Sequence, residues 1–85
     1  MWHLYLVRCN DGSLYTGIST DVERRLDAHR NNRGARRLRG RGPLELVYSQ
    51  PVGDRGLALS LEHRVKKMSK DDKERLVRGE SALPR

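Results

Sequence analysis

Residues 3–9 (HLYLVRC) and 14–18 (LYTGI) are short, largely apolar runs that read as two strands. Asn10-Asp11-Gly12 stands between them, turn chemistry that predicts a β-hairpin. Thr20-Asp21-Val22-Glu23 fits a capping box with Thr20 as the cap, and predicts a helix to about Asn32, ahead of Gly34. The Arg- and Gly-rich residues 33–42 read as a loop. Leu44-Glu45-Leu46-Val47-Tyr48 alternates and reads as a third strand, ended by Pro51. Asp54 can cap a helix to about Met68, with Ala58, Leu61, Val65 and Met68 at helical spacing. Ser69 with Asp72 predicts a second cap for a short last helix, stopped by Gly79. The order ββαβαα is that of an α+β domain with a three-stranded antiparallel sheet flanked by helices, one domain over residues 1–85.

The hairpin turn decides which side chains share a face. A two-residue turn on Asp11-Gly12 pairs Asn10 with Ser13 and sets Tyr5 and Tyr15 on opposite faces. A three-residue turn with Gly12 left-handed pairs Cys9 with Ser13 instead. Tyr5, Val7, Tyr15 and Gly17 then share one face, and Leu4, Leu6, Leu14 and Ile18 the other. The second register segregates the leucines and is preferred for that reason. It also sets Gly17 across from Tyr5, leaving open space for the phenol.

Composition narrows the picture. At 85 residues and 35% hydrophobic, with no Phe and one Trp, the chain predicts a thin aliphatic core and a shallow surface site in place of a deep pocket. A single cysteine, Cys9, excludes an internal disulfide and points to a cytoplasmic protein. No stretch approaches the roughly 20 apolar residues of a membrane span. The net charge is +7, and residues 24–41 alone carry that much. Arg24, Arg25, Arg30, Arg33, Arg36, Arg37, Arg39 and Arg41 face the single acid Asp27 there. An all-arginine cluster suits phosphate, since guanidinium offers a planar fork of donors, so a nucleic-acid backbone is the expected partner.

Three side chains stand out against this background. On the first helix Val22, Arg25, Leu26 and His29 fall within about 100° of one another, so Arg25 and His29 share the apolar side. A charge there is costly unless a partner or ligand neutralises it; a surface ion pair for Arg25 and a solvent-edge imidazole for His29 are the plain alternatives. Glu62 flanks the Ala58/Leu61/Val65 stripe. It reads either as a surface partner of Lys66 at i+4 or as a magnesium ligand, since Mg²⁺ often takes only one or two protein carboxylates.

His3-Leu4-Tyr5, then Tyr15-Thr16-Gly17, then Asp21-Val22-Glu23-Arg24-Arg25-Leu26 with His29, and Glu62 on a later helix, together resemble the GIY-YIG nuclease signature. The stretch from Pro51-Val52-Gly53-Asp54-Arg55 to Lys73-Glu74-Arg75-Leu76-Val77 looks like the small stand-alone bacterial YhbQ-like group, so the resemblance spans essentially the whole chain. It implies a DNA endonuclease, structure-specific and serving repair or recombination, that uses Mg²⁺ or Mn²⁺. A binding module that keeps the fold without cutting is the alternative. The resemblance implies that Tyr5 is the general base and that Tyr15 bonds the phosphate or the attacking water. Arg25 would stabilise the pentacovalent phosphate, His29 would orient the nucleophile or assist proton transfer, and Glu62 would hold the metal. Gly17 is structural in the motif. Arg24, Arg33, Arg36, Arg37, Arg39 and Arg41 would bind the nucleic acid.

The chain departs from the pattern at His3 and Thr16, which replace a Gly and an Ile that bear no chemistry. Specificity would be weak or supplied by a partner protein. A phenol of pKa about 10 is only about 0.1% ionised at pH 7, a deficit near 4 kcal/mol. Either neighbouring charges lower that value or a metal's own water is the nucleophile.

The concentrated charge carries a prediction. Binding to duplex or branched DNA should fall steeply with salt, because phosphate contacts release counterions. Neutralising Arg36, Arg37, Arg39 and Arg41 together should weaken binding and flatten the slope of log K against log salt; an unchanged slope places the nucleic-acid surface elsewhere.

Overall fold

Three strands and three helices follow in the order β1 (Trp2–Arg8), β2 (Leu14–Ser19), α1 (Val22–Arg30), β3 (Glu45–Gly53), α2 (Arg55–Lys66) and α3 (Lys70–Val77). This is a computed structural model, and it describes residues 1–30 and 43–84. The loop expected over 33–42 lies outside the described residues, with Arg33, Arg36, Arg37, Arg39 and Arg41. The strands form one antiparallel sheet in the order β2-β1-β3, an α+β arrangement as the pattern predicts.

The hairpin closes on the three-residue turn. Cys9 N–H donates to the Ser13 carbonyl at 2.9 Å, and Gly12 N–H to the Cys9 carbonyl at 3.0 Å. Gly12 has φ +85°, which a β-carbon would strain. Asp11 braces the turn by accepting from Ser13 N–H at 3.0 Å. Tyr5 therefore lies opposite Gly17, and Val7 opposite Tyr15.

The sheet's two faces carry separate cores. On one, Leu4 and Leu6 pack with Ala58, Leu61 and Val65 of α2, Leu76 of α3, Val52 and the tail residue Leu83. On the other, Tyr5, Val7 and Cys9 pack with Leu26 of α1 and with Leu44. The four-residue run Leu4–Val7 is buried throughout because β1 is central and covered on both faces.

Three boundaries differ from the sequence reading. The cap of α1 is Asp21, one residue beyond Thr20: its carboxylate accepts from Arg24 N–H at 3.1 Å and its carbonyl takes the first helical bond, from Arg25 N–H. The Ser19 hydroxyl fixes Asp21 by accepting its N–H and donating to its carbonyl, both at 3.0 Å. Pro51 does not end β3, which runs on to Gly53. Pro51 sits opposite His3 on an edge strand, where its missing N–H costs the sheet little, and two register shifts leave Val47 and Val52 as bulged residues. The regular part of α2 stops at Lys66, two residues short of Met68. The caps Asp54 and Ser69 are as expected, accepting from Leu57 N–H at 2.9 Å and Asp72 N–H at 3.1 Å.

Arg8, at the end of β1, and Glu74 of α3 form a bidentate ion pair at 2.6 and 2.7 Å that ties the hairpin to the last helix. The bonds from Arg8 hold the Glu74 carboxyl below the usual glutamate range. A depressed acid stabilises the fold fully above its unfolded-state pKa, and that contribution declines below it until it is gone beneath the folded-state value. Glu74→Gln should therefore lower stability at pH 7 by about 1 kcal/mol, the upper end for a partly exposed pair. The gap in melting temperature between wild type and variant should close as pH falls below about 4.3; a gap that stays constant to pH 3 assigns the loss to something other than the carboxylate's charge.

Candidate active site

Space for the site begins with an absent side chain. A β-carbon built on Gly17 would stand 2.5 Å from both Cζ and Oη of Tyr5, so the phenol lies across the glycine and only hydrogen at that position admits it. The hairpin register thus fixes where the Tyr5 hydroxyl points, and the packing of β1 against α1 and β3 leaves that residue 1% exposed.

The hydroxyl meets α1. His29 Nε2 lies 3.1 Å from the Tyr5 oxygen, and His29 is 2% exposed, so it is a buried partner of the phenol and not an imidazole at the solvent edge. The Tyr15 ring meets the His29 ring nearly edge-on, with centroids 5.7 Å apart, closing the third side of a Tyr–His–Tyr cluster. Burial pushes the Tyr5 phenol up to about 12, with Tyr15 and Glu62 adding to the shift and the Arg25 guanidinium opposing it by charge and hydrogen bonding. Burial and then the Arg25 charge lower the His29 pKa below its ordinary value. Both groups are therefore neutral at pH 7, and the phenol O–H can donate to an unprotonated Nε2. Arg25 itself is exposed, at the rim, where its charge reaches both buried groups.

Glu62 comes from the helix on the other face yet is near enough to act on the Tyr5 phenol. Its side chain is 18% exposed, and Lys66 Nζ lies 3.6 Å from its carboxylate. Both sequence readings of Glu62 thus find a counterpart, the i+4 partner and the place beside the tyrosines. Among the described residues no three of His, Cys, Asp and Glu converge. A single hard carboxylate suits an ion that completes its shell with water and phosphate oxygens, as Mg²⁺ does, and does not suit zinc, while Lys66 beside it competes with any such ion.

The structure therefore brings Tyr5, Tyr15, Arg25, His29 and Glu62 into one neighbourhood, with Gly17 beneath Tyr5. Arg24 lies beside it, sharing with Ser19, Thr20, Asp21, Arg25 and Ala28 a shallow polar cavity of about 380 Å³ at the start of α1. Sequence reasoning passed over that cavity, although the adjacent Arg24-Arg25 pair at a helix start was its signal. It also passed over Thr16, taken to bear no chemistry, whose buried Oγ1 has no hydrogen-bond partner.

Comparison with known proteins finds likeness over most of the chain. Residues 1–75 match the GIY-YIG catalytic domain. The UPF0213 protein YhbQ of Escherichia coli strain K12 is 60% identical over 76 residues, 89% of this chain and 76% of that protein. The UPF0213 protein SG0387 of Sodalis glossinidius is 55% identical over 85 residues, 99% of this chain and 79% of its own. The solution NMR structure of the UPF0213 protein BH0048 from Bacillus halodurans superposes with a TM-score of 0.58 at 42% identity, covering 92% of this chain and 84% of that one.

The contact at Gly17 yields a direct test. Gly17→Ala places a methyl group inside the Tyr5 ring's contact distance, and overpacking of this kind costs about 1–3 kcal/mol. Against a Tyr5→Ala background, itself less stable, the further loss from Gly17→Ala should largely vanish in thermal melts, because the clash partner is gone. Additive losses in the double variant would show that Gly17 is required for some other reason.

Proposed function

The chain belongs to the GIY-YIG catalytic domain family, and from that premise we propose that it is a metal-dependent endonuclease that hydrolyses phosphodiester bonds in structured DNA during repair or recombination. The observation that carries this reading is the buried 3.1 Å contact between the Tyr5 hydroxyl and His29 Nε2, beside Arg25 and Glu62.

That contact bears on the base problem. With its pKa pushed up to about 12, Tyr5 is an even poorer free base than an ordinary phenol. A pair acting together avoids the phenolate. In this proposal Tyr5 accepts a proton from the attacking water as its own hydroxyl proton passes to His29, whose lowered pKa keeps it ready to receive. The resulting imidazolium is disfavoured beside Arg25 alone, but the phosphate's negative charge offsets both cations. Arg25 stabilises the equatorial oxygens as charge builds, and the Tyr15 hydroxyl bonds the phosphate or the water. Glu62 would hold Mg²⁺ or Mn²⁺, which when bound supplies charge stabilisation for the phosphate oxygens. Lys66, now beside Glu62, must then give way.

The second reading, a nucleic-acid-binding module without hydrolysis, draws on that same Glu62–Lys66 contact, since a carboxylate satisfied by lysine needs no metal.

Glu62→Gln separates the two. The substitution keeps shape and removes one charge, so melting temperature and DNA affinity should hold, with affinity rising slightly as a repulsion near phosphate is lost. Cleavage of a labelled panel of branched DNAs in Mg²⁺ or Mn²⁺, with EDTA as control, should fall by orders of magnitude. Tight binding with no cleavage by the wild type under either metal would establish the module; equal cleavage by the variant would make Glu62 an ordinary surface residue.

A further inference from the structure

Thr16 occupies a leucine's place. It stands between Leu14 and Ile18 on the face that Leu4 and Leu6 share, 3% exposed, with its Oγ1 lacking any hydrogen-bond partner. A buried hydroxyl left unpaired costs stability, and valine would fill the same volume without that cost. Thr16 also lines a small polar cavity of about 120 Å³ at the outer edge of β2, together with Leu14, Tyr15, Lys66 of α2 and Lys73 of α3. Two lysines line this cavity beside Thr16, and no acidic residue does.

We infer that this cavity is a phosphate-binding pocket in which Lys66, Lys73 and the Thr16 hydroxyl, turned out from its buried position, take a tetrahedral phosphate group. The donor set matches a phosphate's several oxygens, and the volume admits one such group. Tyr15 lines this cavity on β2 and also meets His29 in the candidate active site, so the two places share one residue of the edge strand. On the nuclease reading, the phosphate held here is a neighbouring phosphate of the same nucleic-acid strand. Lys66 links the two places, since it sits 3.6 Å from Glu62 with its side chain 49% exposed. A cation arriving at Glu62 displaces Lys66, and the phosphate pocket is the adjacent site that receives its charge. Occupancy of the pocket and of the Glu62 site would then reinforce each other.

The experiment titrates inorganic phosphate into the full chain while following the backbone amides of residues 14–16 and 73 by NMR, and measures the salt dependence of duplex DNA binding. Neither readout needs cleavage, so the pocket stands or falls separately from the proposed hydrolysis. Wild type should show saturable shifts at those amides. Thr16→Val should weaken phosphate binding about tenfold, the effect of one lost hydrogen bond to a charged group, while its melting temperature holds or rises. Lys73→Ala should weaken phosphate binding and lower the DNA salt slope by about one, the loss of one phosphate contact. Phosphate shifts with an unchanged DNA slope would keep the pocket and assign it to a free phosphate or nucleotide. If Thr16→Val melts higher while phosphate binding is unchanged, and Lys73→Ala leaves the slope unaltered, the hydroxyl is a packing compromise and the inference fails.

Discussion

The pairing of Cys9 with Ser13 across a glycine-closed turn is the constraint on which the rest of this molecule depends. Strand side chains alternate with a period of two, so slipping the hairpin by one residue would turn Tyr15 away from Tyr5 and drive leucines into solvent. With the observed register, Gly17 comes to rest under the Tyr5 ring, and the ring has one direction left in which to extend. His29 waits there because α1 is anchored on the same face by Leu26. Turn chemistry thus reaches the Tyr5–His29 contact through geometry alone.

The electrostatics of that neighbourhood are those of a site holding its charges at the rim. Its buried members, Tyr5 and His29, are neutral and hydrogen-bonded, which a low-dielectric interior tolerates. Its charged members, Arg25 and Glu62, enter from opposite faces of the sheet and retain access to water. A phosphodiester seated among them would meet a guanidinium on one side and a carboxylate on the other. The carboxylate is repulsive to it unless a cation intervenes, and for the present Lys66 is that cation.

Much of this was legible in the chain, for reasons that can be stated. The register followed from the leucine segregation and the Asn10-Asp11-Gly12 turn, both local signals. Asp54 and Ser69 were readable as caps because each stands alone before its helix, whereas Thr20 and Asp21 are adjacent candidates whose choice depends on the Ser19 hydroxyl. The length of β3 was not legible, because the cost of Pro51 depends on strand order, and nothing in the sequence says that β3 is an edge. The side on which His29 lies was readable from helical periodicity, but its partner is 24 residues away. Thr16 announced itself as a polar residue on the leucine face, and the motif it belongs to drew attention to its neighbours instead.

The order of strands across the sheet has a consequence for how the chain is made. The central strand is the earliest of the three to leave the ribosome, and it carries the buried run Leu4–Val7. β2 can pair with it at once, but its other edge waits for residues 45–53, and the leucine face waits for α2 and α3. Until then a strongly apolar strand has only half of its cover. Completion must await the third helix, since the clasp from Arg8 closes on Glu74, 66 residues further on. The nascent protein therefore passes through a stage in which its stickiest segment is already outside and its shield is still being synthesised.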